Sequence, residues 1–277
     1  MAGALTSKEI FAGVFSRHAA AYQARVTGVT DPRQHRGRFH VLEAIAARPG
    51  QRVLDLACGP GTLTLPLAEA VGPGGHVVAV DIAEGMLELL RRAAPPQVEV
   101  RHMDIEELEF PDVSFDAVAC GHGLQFCPNL LRALWQARRV LREGGAFAAS
   151  LPARSHGREA GELMEEAFAG VPSPPDLPDR AATMECLGDP ERARAALVAA
   201  GFRDARVLAF EETIRYESPQ DLVEKSCGWW TCAWRLERLD APARDEVKRR
   251  AVEVVRGKIG NGRIDLRGST HVLEARR

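Results

Sequence analysis

The sequence predicts an α/β fold built on a doubly wound, mostly parallel sheet, and three observations carry that reading. Short apolar runs of strand character recur at residues 52–56, 76–80, 97–102, 115–120 and 145–151, each but the last followed by a helix-like stretch. Such alternation builds a parallel sheet, because parallel neighbours need a crossover between them. The stretch "VLDLACGPGTLTLPLA", residues 53–68, reads as a buried strand through Leu56, a glycine-rich turn and a helix from near Thr62. Finally, Asp55, Asp81, Asp104 and His122 all fall at carboxyl ends of predicted strands, the edge where open parallel sheets bind ligands.

Taken in order, residues 5–47 show helical periodicity in two pieces, one through Leu5, Ile10, Val14 and Phe15, the other through Phe39, Leu42 and Ile45. The turn-rich "TGVTDPRQHRG" separates them. In the first strand–turn–helix unit, the glycines let the backbone bend sharply and come close to a ligand. A phosphate-binding lysine loop is excluded, because no Lys-Ser or Lys-Thr follows. The dinucleotide fingerprint fits only in part: Gly59 and Gly61 are present, but the third glycine would fall at Thr64. Asp55 at the strand end would repel a pyrophosphate and attract an amine or a sulfonium. In "GHVVAVDIAEGML" Asp81 closes the second strand, about twenty residues beyond the loop, where an acid accepts both hydroxyls of a ribose. Asp81 thus points to a nucleoside, and Asp55 argues against its nicotinamide version.

After Ser150 the rhythm changes. A helical piece at about 158–169 runs into the proline-rich "GVPSPPDLPD", a composition common in lids and connectors. "DPERARAALVAAGF" predicts a helix capped by Asp189 before Pro190 and ended by Gly201. "DARVLAFEETIRY" and "GRIDLRGSTHVLEARR" are further strand candidates, with helical cap material between them at 219–257.

These residues resemble the class I S-adenosylmethionine-dependent methyltransferases over roughly 51–151. Beyond the glycine loop the match extends to "DIAEGMLELL", "VRHMDIEELEFPDVSFDAVAC" and "ALWQARRVLREGG". Within that family the chain is most similar to the small-molecule branch of quinone C-methyltransferases, the type 11 methyltransferases. The resemblance implies a Rossmann-like, seven-stranded sheet ending in an antiparallel pair, with N-terminal helices over the cofactor site at 1–50 and a cofactor-binding core at 51–152. A cap with the sixth strand would occupy 153–240, and a C-terminal helix with the last strand would complete the sheet at 241–277. Asp55, Ala57, Gly59 and Gly61 would then line the methionine portion of the cofactor, Asp81 and Ile82 its ribose and adenine, and Met103, Asp104 and Ile105 the adenine edge, with Met86 packed nearby. Tyr22, in "VFSRHAAAYQARV", would reach the cofactor carboxylate, with His18 one turn earlier on the same face. S-adenosyl-L-methionine would be the methyl donor and S-adenosyl-L-homocysteine the coproduct.

Methyl transfer from a sulfonium is an in-line displacement, so the protein aligns the nucleophile, excludes water and supplies a base where a proton must leave. His122 follows the fourth strand, where it serves either as that base or as a polar closure of the cofactor pocket. Gln125 is expected to bond a loop carbonyl. Trp230 and Trp234, four residues apart with Cys227 a turn before, form a stripe that is either core or the wall of an apolar pocket. Cys58 is expected to be packing material.

Composition narrows the alternatives. A net charge of −2 and basic residues dominated by arginine, without a long basic run, argue against a nucleic-acid surface, and no Asn-Pro-Pro-Tyr-type loop follows the fourth strand. Six scattered cysteines, with no Cys-x-x-Cys pair and no histidine ladder, predict reduced thiols and no metal site. With no signal core and no apolar run of spanning length, the expectation is a cytoplasmic chain without a membrane span. The leading expectation is methyl transfer to a small, apolar or aromatic acceptor at oxygen, nitrogen or carbon. The alternatives are a non-methylating S-adenosylmethionine-binding protein with a regulatory or rearrangement role, and an NAD(P)-dependent oxidoreductase. Neither acceptor identity nor oligomeric state is legible.

Overall fold

The computed structural model describes residues 5–26, 36–153 and 158–277. The turn-rich stretch read at 27–37 lies mostly outside them.

Three helices precede the sheet: α1 (Ser7–Arg17), α2 (Ala19–Val26) and α3 (Arg36–Ile45). Helix α1 starts in a capping box in which Thr6 and Glu9 satisfy each other's backbone N–H groups. The first predicted helical piece breaks at His18, whose φ/ψ of −109°/21° leaves the helical region. His18 therefore sits at the junction of the two helices: its carbonyl accepts the Tyr22 N–H at 3.0 Å, one turn on, while its ring turns to Glu237.

The core follows as β1 (Arg52–Leu56), α4 (Thr64–Val71), β2 (His76–Asp81), α5 (Glu84–Ala93), β3 (Val98–His102), β4 (Phe115–Gly121), α6 (Leu130–Val140) and β5 (Leu141–Pro152). Val53, Leu54, Leu56 and Val77 through Val80 are fully buried, as expected of central parallel strands covered on both faces. At the edge, β3 is only half-buried and carries Glu99 and Arg101, polar residues that discourage further strand pairing. No helix follows β3. Residues 103–114 form turns and extended chain, among them a turn closed by the Glu107 N–H on the Asp104 carbonyl. The apolar positions of this stretch, Leu108 and Phe110, pack into the main core from that loop.

The second half comprises α7 (Arg158–Ala167), α8 (Ala181–Leu187), α9 (Pro190–Ala199), β6 (Arg203–Tyr216), α10 (Pro219–Cys227), α11 (Trp230–Leu236), α12 (Ala241–Ile259) and β7 (Ile264–Arg276). Among the described residues the strands make one seven-stranded sheet of order β3-β2-β1-β4-β5-β7-β6. Strands β1 to β5 are parallel and β7 runs antiparallel to both β5 and β6, so the sheet is mixed. Strand β7 pairs with β5 only from Thr270 to Arg276 but with β6 as far as Ile264. The β6–β7 hairpin thus overshoots the sheet. Its far end, with Ile214, Tyr216, Ile264 and Leu266, joins α7, α10, α11 and α12 in a second apolar cluster beside the main core.

Strand order reverses between β1 and β4, which places a crevice at their carboxyl ends. Helices α1 and α2 lie over α5 next to that crevice. A Cβ on Gly85 would fall 2.2 Å from the Ser16 carbonyl oxygen, so only glycine lets α1 approach α5 this closely.

Candidate functional site

Two adjoining cavities open at the switch point. The inner one, about 90 Å³, lies between the loops after β1, β2 and β4 and beneath α1 and α2. The outer one, about 310 Å³, lies between α2, α7, α10 and the β6 strand. Tyr22, Arg38 and His122 line both and form the partition between them.

The loop after β1 supplies the inner floor. Ala57, at φ 50°, and Gly59, at φ 54°, both take left-handed backbone. For alanine this conformation is costly and needs surrounding structure to hold it. Both residues line the cavity. Gly61 does not. Its φ is 95°, and a Cβ there would meet the Leu90 Cδ1 at 2.5 Å, so this glycine seats the loop against α5 instead of facing a ligand. Cys58 is buried with its thiol pKa pushed well up by desolvation, a packing residue rather than a nucleophile.

Asp55 is fully buried at the end of β1. Its Oδ2 accepts from the Thr64 hydroxyl at 2.6 Å, and its Oδ1 has no hydrogen-bond partner. Burial raises its pKa to about 7, with Asp81 adding to the rise and Thr64 and Arg38 opposing it. Arg38 is also buried, and its Nε lacks a partner; among the described residues its guanidinium reaches the Tyr22 hydroxyl alone, at 3.5 Å. A buried acceptor and a buried cationic donor, both incompletely satisfied, thus face the same space. Each is costly unless a ligand completes it.

Asp81 is held from two sides, with its Oδ2 accepting from Gly59 N–H at 2.8 Å and its Oδ1 from Ala83 N–H at 2.9 Å. Burial nevertheless leaves its pKa raised. A carboxylate has acceptor sites beyond these two, so the backbone fixes its direction and leaves capacity for hydroxyl donors. Ile82, Met86 and Ile105 give the neighbouring wall an apolar face. Met103 is off the wall: it is buried in the main core, with its sulfur 3.5 Å from the Glu109 N–H. Asp104 does line the cavity, but its Oδ2 is taken by Lys8 at 2.6 Å, and Lys8 also reaches Glu106 at 2.8 Å. Burial alone would lower the Lys8 pKa; the two carboxylates outweigh it and raise it.

His122, at φ 60°, bridges the two cavities. Its Nδ1 is 2.8 Å from the hydroxyl of fully buried Ser150, which fixes the ring orientation from the far side. Gln125 donates to the His122 carbonyl at 2.8 Å, as its expected loop role requires. His18 faces Glu237 at 3.3 Å on the outside of α1 and lies apart from both cavities.

The tryptophan stripe divides differently from its spacing. Trp230 is core, edge-on to Phe11 at 5.0 Å, and Trp234 stacks under Arg238. Trp229, which precedes the helix in extended conformation and so stands off the helical stripe, lines the outer cavity. Sequence reasoning also passed over Arg38, Lys8 and Phe126. For Arg38 a signal existed: it occupies the apolar phase of α3 with Val41 and Ile45, where an arginine is out of place unless it has a ligand.

A family model described as "Methyltransferase domain" matches residues 53–145, the stretch that carries the loop after β1, Asp81, Asp104 and His122. Residues 53–145 thus carry a methyltransferase domain. The domain is similar to demethylmenaquinone methyltransferase of Staphylococcus aureus strain JH9, 38% identical over 148 residues, which are 52% of this chain and 61% of the relative. The chain thus spans about three fifths of the length of the curated relatives it matches. Among solved structures, the methyltransferase fold is shared with the [4+2]-cyclase SpnF, at 19% identity and a TM-score of 0.60, covering 99% of this chain and 97% of that one. It is shared also with Haemonchus contortus phosphoethanolamine N-methyltransferase 2, at 16% identity and a TM-score of 0.61, covering 99% and 60%. At such identities these likenesses speak for the fold alone. Among the described residues no group of three metal-ligating side chains occurs, and no helix is long and apolar enough to cross a membrane.

Proposed function

We propose that this chain transfers a methyl group from S-adenosyl-L-methionine to a small-molecule acceptor seated in the outer cavity. The observation that carries the reading is the pair of buried, incompletely satisfied groups in the inner cavity, Asp55 Oδ1 and the Arg38 guanidinium. They match the ammonium and carboxylate of a zwitterion. Asp81 would take ribose hydroxyls, and Ile82, Met86 and Ile105 the adenine faces, with Asp104 at the adenine edge. Tyr22 would close over the carboxylate beside Arg38. When bound, the cofactor supplies an already activated methyl electrophile. The residues of the chain then need only bind, orient and exclude water.

The shared partition of Tyr22, Arg38 and His122 is where an acceptor would meet the donor. His122, whose Nδ1 meets the Ser150 hydroxyl, lines both cavities and would take a proton there from a hydroxyl acceptor. For an amine or an already ionised oxygen it would only orient. The fold itself also occurs in a cyclase, so the support for methyl transfer over rearrangement comes from the 38% identical relatives and the donor set.

Thermal denaturation with S-adenosylhomocysteine and with NAD tests the reading directly. The former should raise the melting temperature by mass action and the latter should not. Asp81→Ala should weaken S-adenosylhomocysteine binding by roughly 2 to 4 kcal/mol, the scale of charge-assisted bonds lost from a buried site. Stabilisation by NAD alone would overturn the assignment.

A further inference from the structure

The outer cavity carries more positive charge than an apolar acceptor requires, and its charges are unequally partnered. Arg25, Arg38, Arg215 and Lys225 line it, with Glu165 and Glu212 as the opposing acids. Both acids are engaged: Glu165 accepts from Arg235 at 2.7 Å, and Glu212 from the Gly37 N–H at 2.8 Å. Of the cations, Arg215 pairs with Asp265 at 2.9 Å and Lys225 with Asp221 at 2.9 Å. Arg25 and Arg38 have no carboxylate partner among the described residues. Arg38 is the partition residue already matched to the cofactor carboxylate. Arg25 is left over.

Arg25 is half-buried, and it is held, not loose. One guanidinium nitrogen donates to the Lys225 carbonyl at 2.8 Å, and the plane lies 5.3 Å from the centre of the Trp229 ring. Lys225 in turn sits 5.7 Å from the Tyr216 ring. The two contacts place an oriented cation fork and a second cation against two aromatic faces on one wall. Lys225 is paired with Asp221, so the unbalanced charge of this wall is that of Arg25. A partly desolvated guanidinium without a counter-ion favours an anion at its open edge, and its planar fork suits a carboxylate or phosphate. From α7, Ala160 and Met164 add apolar surface to the lining, beside Glu165.

Resting on the methyl-transfer reading for its position, we propose that the outer cavity takes an amphipathic acceptor: an apolar or aromatic body carrying an anionic group, carboxylate or phosphate, held by Arg25. This separates it from a neutral, wholly apolar acceptor. The body lies against Trp229, Tyr216 and Met164, and the anion turns toward Arg25 and Lys225, so that the opposite end of the acceptor faces His122 and the partition.

The test uses the full chain and three probes of one shape: naphthoate, naphthyl phosphate and neutral naphthylmethanol, each titrated by calorimetry with S-adenosylhomocysteine present and absent. The anions should bind roughly 10-fold or more tighter than the neutral probe, and Arg25→Gln should erase that advantage without changing the neutral affinity, while Arg25→Lys restores part of it. Whichever anion binds tighter identifies the source as carboxylate or phosphate. Raising ionic strength with the unmodified chain should weaken the anions only, an arm that stands even where the variant fails to fold. Equal affinity for all three probes, or an equal loss for all three in Arg25→Gln, overturns the proposal. The cofactor titration keeps the two readings apart. Tight S-adenosylhomocysteine with no anion preference sinks the acceptor class alone, and no cofactor binding with anion preference intact sinks the methyl-transfer reading alone.

Discussion

Asp55 shows how one buried atom ties stability to binding. Unfolded, its carboxyl ionises near 3.8; in the fold, burial holds the proton on to about 7. The folded state therefore binds more protons, so the contribution of this group to stability falls as pH rises from about 4 to about 7 and is level above. Asp55→Asn keeps an acceptor for Thr64 and removes the charge. It should be the more stable protein at about pH 8, by on the order of 4 kcal/mol, with the gap narrowing toward pH 5, as urea unfolding at both pH values would read. A ligand ammonium beside Asp55 favours its ionised form, so binding S-adenosylhomocysteine near pH 7 should release protons. Calorimetry in two buffers of different ionisation enthalpy measures this, and zero release would remove Asp55 from the ammonium site. At the partition, His122→Ala should lower turnover on a hydroxyl acceptor by about 10²- to 10⁴-fold with cofactor affinity little changed. Ser150→Ala should cost less, because Ser150 touches the ring at Nδ1 and acts on the reaction only by orienting it. Near-normal turnover in His122→Ala would leave only the closing role for this residue.

At the scale of elements, α1 is the wall that decides access. The inner cavity, about 90 Å³, is smaller than the roughly 300 to 1,000 Å³ of ordinary ligand pockets, and α1 contributes Lys8, Phe11 and Phe15 to its lining. What pins this helix on the cavity side is Lys8, bonded to both Asp104 and Glu106. An adenine amino group and Lys8 would compete for Asp104. Lys8→Met should therefore loosen α1, seen as faster amide exchange at its cavity-facing turns, and leave the sheet's exchange unchanged. It should also leave two carboxylates without their cation, one of them buried, which costs more than the ion pair itself is worth. Unaltered exchange in α1 would mean that the aromatic contacts of Phe11 with Phe126 and Trp230 hold it alone.

Among the apolar clusters of the molecule, the main core packs on the sheet, another joins α3 and α4 to it, and a third lies under α7, α10, α11 and α12. The outer cavity lies against the third cluster and the inner cavity against the main core. We expect the two to open separately, because regions built on distinct cores exchange as distinct units. Hydrogen exchange on adding S-adenosylhomocysteine should protect the loops after β1 and β2 first. An acceptor added second should protect α7 and α10. Equal protection of all these segments by cofactor alone would count against a separately mobile cap.

Much of the core was legible in the chain itself. Strand, loop and helix in "VLDLACGPGTLTLPLA" are set by local rules: apolar continuity for a strand buried on both faces, glycine for left-handed backbone, and a carboxylate left at the strand end. Those rules place Asp55, Gly59 and Asp81 at the strands' carboxyl edge before any packing is known, and all three line the inner cavity. Local rules failed where a side chain's direction depends on a distant segment. Gly61 and Met103 sit at the expected positions but turn to α5 and to the main core. Trp229 rather than Trp230 walls the outer cavity, because the chain breaks between α10 and α11 and leaves Trp229 extended, where the spacing assumed one helix from Cys227 to Trp234. Periodicity likewise put a helix after β3, where apolar side chains pack from a loop, and ran one helix through His18. Arg38, Lys8 and Arg25 became site residues only when α1, α2 and α3 were laid over the sheet, since charge in a sequence carries no partner until folding brings one or withholds it. The chain alone pointed to the kind of ligand, through the chemistry of its strand ends; tertiary structure decided which cations line the two cavities without an acid, because burial and pairing are set by contacts between segments far apart in sequence.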